Sequence, residues 1–150
     1  MDIDLKPIGR VHSPFKRKAD IRQDEYWTPE GFDAIRGELE IFPEFAPGLD
    51  STEGFSHLIV LFAFHESGEA KLSALPPFET SEKGVFATRS PHRPNPLGMT
   101  VLRLLQRKGN ILEVAGVDMI EGTPILDIKP YTPRDRKPDA RFGWLERTCR

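Results

Sequence analysis

Apolar side chains along this chain recur far more clearly at a spacing of two than at the 3.6 spacing of a helix. Gly37-Glu38-Leu39-Glu40-Ile41-Phe42 alternates and stops at Pro43, the pattern of a half-buried strand. Leu58-Ile59-Val60-Leu61-Phe62-Ala63-Phe64 is an unbroken β-branched and aromatic run, which predicts a strand buried on both faces. Gly84 to Arg89 reads as another strand. Met99 to Gln106 and Ile111 to Met119 flank Arg107-Lys108-Gly109-Asn110, whose glycine suits the left-handed position of a hairpin loop. Ile125 to Lys129 alternates again and ends at Pro130, and Ile3 to Val11 opens the chain in the same manner.

Helix signals are sparse. Ser51 to Ser56 predicts a short helical turn with Asp50 or Ser51 as its cap. Glu66 to Ser81 has no clean period and contains Pro76-Pro77, so it reads as a long loop. From Pro133 onward the chain is polar and basic, with Phe142, Trp144 and Leu145 available to dock it. Many short strands, few helices and no internal repeat favour a small antiparallel β-barrel or sandwich with short helices and one long loop. The expected units are a barrel domain over 1–133 and a basic tail over 134–150.

Composition narrows the class. The chain has 150 residues, 38% of them hydrophobic and 29% charged, with a net charge of -2. That suits one soluble domain and no disordered tail, collagen or disulfide scaffold. Cys149 is the single cysteine, which forbids an intrachain disulfide and suits a reducing cytoplasm. The acidic start Met1-Asp2-Ile3-Asp4 is no signal peptide, and the longest apolar run is far too short for a membrane span. Charge is nevertheless segregated. Lys83, Arg89, Arg93, Arg103, Arg107 and Lys108 occur with no acid between Lys83 and Leu112, and the tail is basic too. Such stretches either track phosphates or are solvated strand faces.

Several common chemistries are absent. No two glycines stand two positions apart, so there is no dinucleotide-binding turn, and no Gly-Lys-Ser/Thr closes a phosphate loop. His12, His57, His65 and His92 form no local metal pair, and no metal site is expected. His12 and His57 read as structural. The unusual segment runs from Phe86 to Gly98, where Pro91, Pro94 and Pro96 push Ser90, Arg93 and Asn95 toward extended conformations. It is either a stiff surface turn or a preformed rim. As a rim it would offer carbonyls to an exocyclic amine and the forks of Arg89 and Arg93 to a carboxylate or phosphate. A second candidate is the strand before Tyr131, where Leu126, Ile128 and Pro130 would share one face and Asp127, Lys129 and Tyr131 the other. That polar face is a site wall or a wet exterior. His65-Glu66-Ser67, at the end of the long apolar strand, is a third.

Those residues carry a specific resemblance. Thr88-Arg89-Ser90, Arg93-Pro94-Asn95-Pro96-Leu97-Gly98, Gly122-Thr123-Pro124 and Asp127-Ile128-Lys129-Pro130-Tyr131 resemble the motifs of the TsaA-like/TrmO family. Ile8-Gly9, Ser13-Pro14-Phe15 and Phe55-Ser56-His57-Leu58 fall in the same order, so the likeness runs from about Ile8 to Pro133. It implies a single-sheet β-barrel, a homodimer, and S-adenosylmethionine as methyl donor. The methyl acceptor it implies is N6 of threonylcarbamoyladenosine beside the tRNA anticodon.

Carried over by motif, the cofactor would meet Asp24, Glu25, Tyr26, Glu66, Ser67, Arg89, Met99, Ile125, Leu126, Asp127 and Ile128. The anticodon stem-loop would meet Arg93, Asn95, Arg103, Lys129 and Tyr131. Asp127 and His65 are the candidates for taking the acceptor's proton. The sequence departs from the family where Arg22-Gln23 runs into Asp24-Glu25 rather than Pro-Gly, and where Glu121 replaces Asp before Gly-Thr-Pro. The longer tRNA-modifying members carry a second C-terminal domain beyond the stretch matched here. Two other readings stand beside this one. They are a non-catalytic barrel that binds S-adenosylmethionine or RNA as a regulator or adaptor, and a methyltransferase with a different acceptor.

Overall fold

The alternating runs pair with one another in an order that closes. In a computed structural model describing residues 1–148, six strands form one antiparallel barrel. They are β1 (Gly9–His12), β2 (Arg36–Ile41), β3 (His57–Ala63), β6 (Leu97–Lys108), β7 (Ile111–Ala115) and β8 (Pro124–Pro130). Around the barrel the order is β1, β2, β7, β6, β3, β8, and β8 returns to β1 through Gly9 opposite Ile125. A two-stranded ribbon, β4 (Ser73–Ala74) with β5 (Lys83–Gly84), stands apart. Alternation sends Val11, Leu39, Val60, Leu102, Leu112 and Val114 fully inside. Gly109, at φ +61°, turns the hairpin between β6 and β7 as its position suggests.

Five local expectations are corrected. Within Ile3–Val11 only the last part of the run pairs: the ladders to β2 and β8 begin at Gly9, opposite Ile41 and Ile125, and Ile3 and Leu5, upstream of both, stay exposed. β3 is not buried on both faces: Leu58, Val60 and Phe62 point inward, while His57, Ile59, Leu61 and Ala63 are half-buried outside. Gly84–Arg89 is not a strand, since Val85–Ala87 coils into a 3-10 turn that buries Val85 and leaves Phe86 exposed. β7 stops at Ala115, where Gly116 at φ +103° turns the chain, although Val117 and Met119 remain in the core.

The fifth concerns β8. Its register against β3 slips between Leu61 opposite Asp127 and Phe62 opposite Ile125, so Leu126 is an extra residue. The bulge reverses the parity: Ile125 is buried in the core and Ile128, three positions on, packs against it. Leu126 therefore does not share the face of Ile128.

The turn near Ser51 exists as a 3-10 helix over Thr52–Gly54, preceded by a longer one over Pro43–Leu49 that the proline-rich sequence hides. Two four-residue helices, α1 (Gln23–Tyr26) and α2 (Leu145–Thr148), were not signalled by any period. The segment after the barrel docks through the Trp144 indole, which donates to the Ala87 carbonyl at 2.9 Å, whereas Phe142 stays exposed. Cys149 and Arg150, at the end of the basic tail, lie outside the described residues.

Candidate functional site

One end of the barrel opens into a pocket of about 450 Å³. Its floor is the end of β3, where Phe62 and Phe64 meet edge to face with centroids 5.2 Å apart. Gly98 is required here, because a Cβ at that position would enter the Phe62 ring. Asp118, Met119 and Ile120 form its wall from the segment after β7, and Ile21, Trp27 and Phe32 line it from the segment between β1 and β2. The proline-braced loop supplies Arg89, Pro91 and Arg93.

That loop is held by its own polar groups. The Arg93 Nη1 donates to the carbonyls of Thr88 and Ser90 at 2.9 and 3.1 Å. The Thr88 hydroxyl donates to the Val85 carbonyl at 2.9 Å. The Pro96 carbonyl accepts from the Phe64 amide at 2.8 Å, and the Pro91 carbonyl accepts from Arg93 at 3.0 Å. Two of the three proline carbonyls are thus spent inside the protein rather than offered to a ligand. The loop is stiff, as its composition implies, and its arginines are its functional groups.

Of the residues named from sequence, His65, Glu66, Arg89, Arg93 and Met99 line this one pocket. His65 stands 3.5 Å from the Glu66 carboxylate at the rim. Ser67 lies just beyond, its amide bonded to the Phe64 carbonyl. Asp24 and Glu25 pair with Arg22 at 3.9 and 3.3 Å, and Tyr26 stacks on Phe32 at 4.2 Å behind the wall; Lys18, Ile21 and Trp27 take the place at the pocket itself. Ile125 belongs to the core, and Leu126 and Ile128 do not reach the pocket. Asp127 opposes Leu61 on the outer face and pairs with Lys129 at 2.9 Å. Asn95 is exposed at the loop tip. Arg103 and Tyr131 sit beside His57, six positions along β3 from Ala63, which at strand rise is roughly 20 Å from the pocket.

The residue that sequence reasoning missed is Asp118. It is the one acid in the apolar run Val114-Ala115-Gly116-Val117-Asp118-Met119-Ile120, and that isolation was the available signal. Its Oδ1 is shielded from water and has no hydrogen-bond partner. Burial pushes the carboxyl up to about 6, against the pull of its own backbone amide, the Arg89 charge and the Thr100 hydroxyl. A desolvated acid near an exposed arginine in an aromatic pocket is a binding-site signature.

A second polar cluster lies elsewhere. His12 is bonded through Nδ1 to Glu121 at 2.8 Å and through Nε2 to Glu40 at 2.7 Å. Carboxylates only accept, so both ring nitrogens donate and the ring is an imidazolium. The hydrogen bonds to Glu40 and Glu121 hold its pKa above the usual value. Among the described residues no three His, Cys, Asp or Glu side chains cluster as a metal site, and no helix is long and apolar enough to cross a membrane.

The residues fit S-adenosylmethionine. The pocket volume lies within the range of small-molecule sites, its walls include aromatic and aliphatic side chains, and its charged groups carry both signs. A family model described as the tRNA-methyltransferase O N-terminal domain matches residues 10–135. The chain belongs to the tRNA-methyltransferase O family. A probable S-adenosyl-L-methionine-binding protein of Pyrococcus abyssi is 46% identical over 97% of this chain and 77% of that protein. The tRNA (adenine(37)-N6)-methyltransferase of Rattus norvegicus is 35% identical over 93% of this chain but only 34% of its own length. The crystal structure of TrmO from Pseudomonas aeruginosa superposes with a TM-score of 0.77 at 38% identity, over 95% of this chain and 62% of that one. The mainly β closed barrel is therefore the family's fold.

Proposed function

We propose that this protein is an S-adenosylmethionine-dependent tRNA methyltransferase that methylates N6 of the adenine next to the anticodon, with threonylcarbamoyladenosine as its acceptor. The observation that carries the reading is the pocket lined by Arg89, by Asp118 with its unpartnered Oδ1, and by aromatic side chains. The likeness to a probable S-adenosyl-L-methionine-binding protein and to a tRNA (adenine(37)-N6)-methyltransferase supports it.

The cofactor, when bound, supplies an electrophilic sulfonium methyl. The protein has to orient and to exclude water. Arg89 is placed to hold a carboxylate with its guanidinium fork. Phe62, Phe64 and Trp27 offer flat apolar surface to a purine or thioether and keep water out. Of the two groups considered for accepting the N6 proton, His65 lines the pocket, while Asp127 does not line the pocket of its own chain.

The homodimer follows from the same region. Leu97, Met99 and Val101 of β6 are all more than 40% exposed and alternate on the outer face, beside Ile59 and Leu61 of β3. Leu97 and Met99 also line the pocket mouth, so a second copy seated on this stripe would stand beside the site. Asp127 opposes Leu61 on that face, which is how Asp127 of one copy would approach the pocket of another, while Ile125 stays in the core. Arg93, Asn95, Arg103, Lys129 and Tyr131 remain the proposed contacts to the anticodon stem-loop, whose splayed bases suit such recognition. The cytoplasm is the proposed compartment, and 1–133 with 134–150 the proposed division of the chain.

Titration calorimetry with S-adenosylmethionine, followed by nucleoside mass spectrometry of tRNA from cells lacking this protein, tests the proposal. Wild type is expected to bind and to add one methyl group to the modified adenine. Arg89→Ala is expected to lose binding with its melting temperature unchanged. Binding without transfer would instead make the protein a regulator, transfer elsewhere would change the acceptor, and absence of binding would overturn the reading.

A further inference from the structure

Charged side chains in a pocket usually find one another. Here most do: the Lys18 ammonium donates to the Glu66 carbonyl, Glu66 accompanies His65, and Arg93 is spent on two backbone carbonyls. Arg89 and Asp118 are the exceptions. They line the same pocket and feel each other's charge, yet form no ion pair, and Asp118 keeps a buried oxygen without a donor.

A pocket for a simple anion would not hold a carboxylate, and a pocket for a simple cation would not hold a guanidinium. Two opposite charges that line one pocket without pairing match a ligand that carries both signs on neighbouring atoms. The α-amino acid group is such a ligand. Its ammonium and carboxylate hang from one carbon, so its receptor must bring an acid and a base close without letting them neutralise each other.

We propose that Asp118 is the ammonium receptor of this pocket, and that Asp118 and Arg89 together clamp the amino acid end of the ligand as a zwitterion. The inference rests on the cofactor reading above and deepens it by giving the ligand an orientation. Arg89, exposed at the mouth, takes the carboxylate through two parallel donors. Asp118, deeper in the wall and braced by the Thr100 hydroxyl, takes the ammonium with the oxygen that now lacks a partner. Met119 and Ile120, buried next to Asp118 in the chain and lining the same pocket, help exclude water, which strengthens both contacts. The nucleoside end then faces the aromatic surface of Phe62, Phe64 and Trp27.

Calorimetry with three probes tests this. They are S-adenosylhomocysteine, its analogue with hydrogen in place of the α-amino group, and 5′-methylthioadenosine, which lacks the amino acid end. Asp118→Asn is expected to weaken S-adenosylhomocysteine at least tenfold and to leave 5′-methylthioadenosine unchanged. The deamino analogue is expected to bind wild type weakly and to lose nothing further in the variant. Equal loss for all three probes would reduce Asp118 to a structural residue. Retention of S-adenosylhomocysteine, or a deamino analogue that stays sensitive to the substitution, would also overturn the assignment. Asp118→Glu, which keeps the charge, provides the check should Asp118→Asn fail to fold, and it is expected to recover part of the discrimination. Wild type that binds none of the probes removes the cofactor reading itself, an outcome distinct from these.

Discussion

Asp118 should cost this protein stability, and the cost can be worked from its surroundings. An aspartate in an unfolded chain titrates near 3.8, whereas burial holds this one at about 6. A shift of about two units corresponds to roughly 3 kcal/mol, at about 1.4 kcal/mol per unit. The sign is the reverse of the usual one for a carboxylate. Between the two values the native state keeps a proton that the unfolded state has lost, so stability falls as pH rises from about 4 through 6. Below that window the group contributes no penalty, and above it the whole penalty is present. Asp118→Asn removes the charge and keeps the shape, although its new amide donors need acceptors and return part of the gain. At pH 7.5 the variant is expected to be about 1–3 kcal/mol more stable than wild type, a rise of several degrees in melting temperature for a domain of this size. At pH 4 the advantage should vanish. Urea denaturation of both proteins across pH 4 to 8 measures the difference directly. A difference that does not change with pH, or a variant weaker at pH 7.5 than at pH 4, would refute the reasoning. The combination of higher stability with weaker binding of the amino acid end is the signature of a residue kept for its ligand rather than for the fold.

His12 predicts a loss of the same sign at higher pH. Its raised pKa means that its contribution is complete below about 6.5 and is lost as pH rises through the folded value; urea midpoints at pH 6 and 9 should converge when His12→Gln is compared with wild type at the higher pH. Glu40 and Glu121 are both held below their usual range, Glu40 chiefly by the His12 ring and Glu121 by the Ser13 amide and His12 against its own burial, so their share disappears instead as pH falls. Gly98→Ala drives a methyl group into the Phe62 ring and is expected to lose about 1–3 kcal/mol, read as a lower urea midpoint; an unchanged midpoint would mean that the floor of the pocket yields freely. Val101→Glu places a charge in the outer apolar stripe and is expected to convert a dimer into a folded monomer by light scattering, whereas a variant that stays dimeric would move the interface elsewhere.

Much of the barrel was legible because a half-buried strand writes its two faces alternately. β2, β3, β6 and β7 all lie within a few residues of their alternating or apolar runs. What could not be read was pairing. Ile3 and Leu5 alternate as well as any strand, but β2 ends at Ile41 and the ladder to β8 stops at Ile125, so neither residue has a strand paired beside it. The extra residue at Leu126 is invisible in sequence because a bulge is a relation between two strands, not a property of one. The site divided in the same way. Arg89 and Arg93 stood out through their prolines, a local feature. Asp118 was hidden because its meaning depends on what surrounds it in space: an acid in an apolar run gains a role only when Arg89 and two phenylalanine rings are brought to the same opening. Asp127 stood out by motif, yet it stands opposite Leu61 on the outer face, paired with Lys129, and does not line the pocket of its own chain.

The closure of the six strands has a consequence for how this molecule meets others. A sheet with an open border can recruit a peptide or a second sheet through backbone ladders, which are indifferent to side-chain identity. In the barrel each strand has a neighbour on both sides over part of its length, and along those stretches an RNA loop or a sister copy is recognised through what the side chains present. Affinity on such a surface can be adjusted one substitution at a time without disturbing the scaffold beneath.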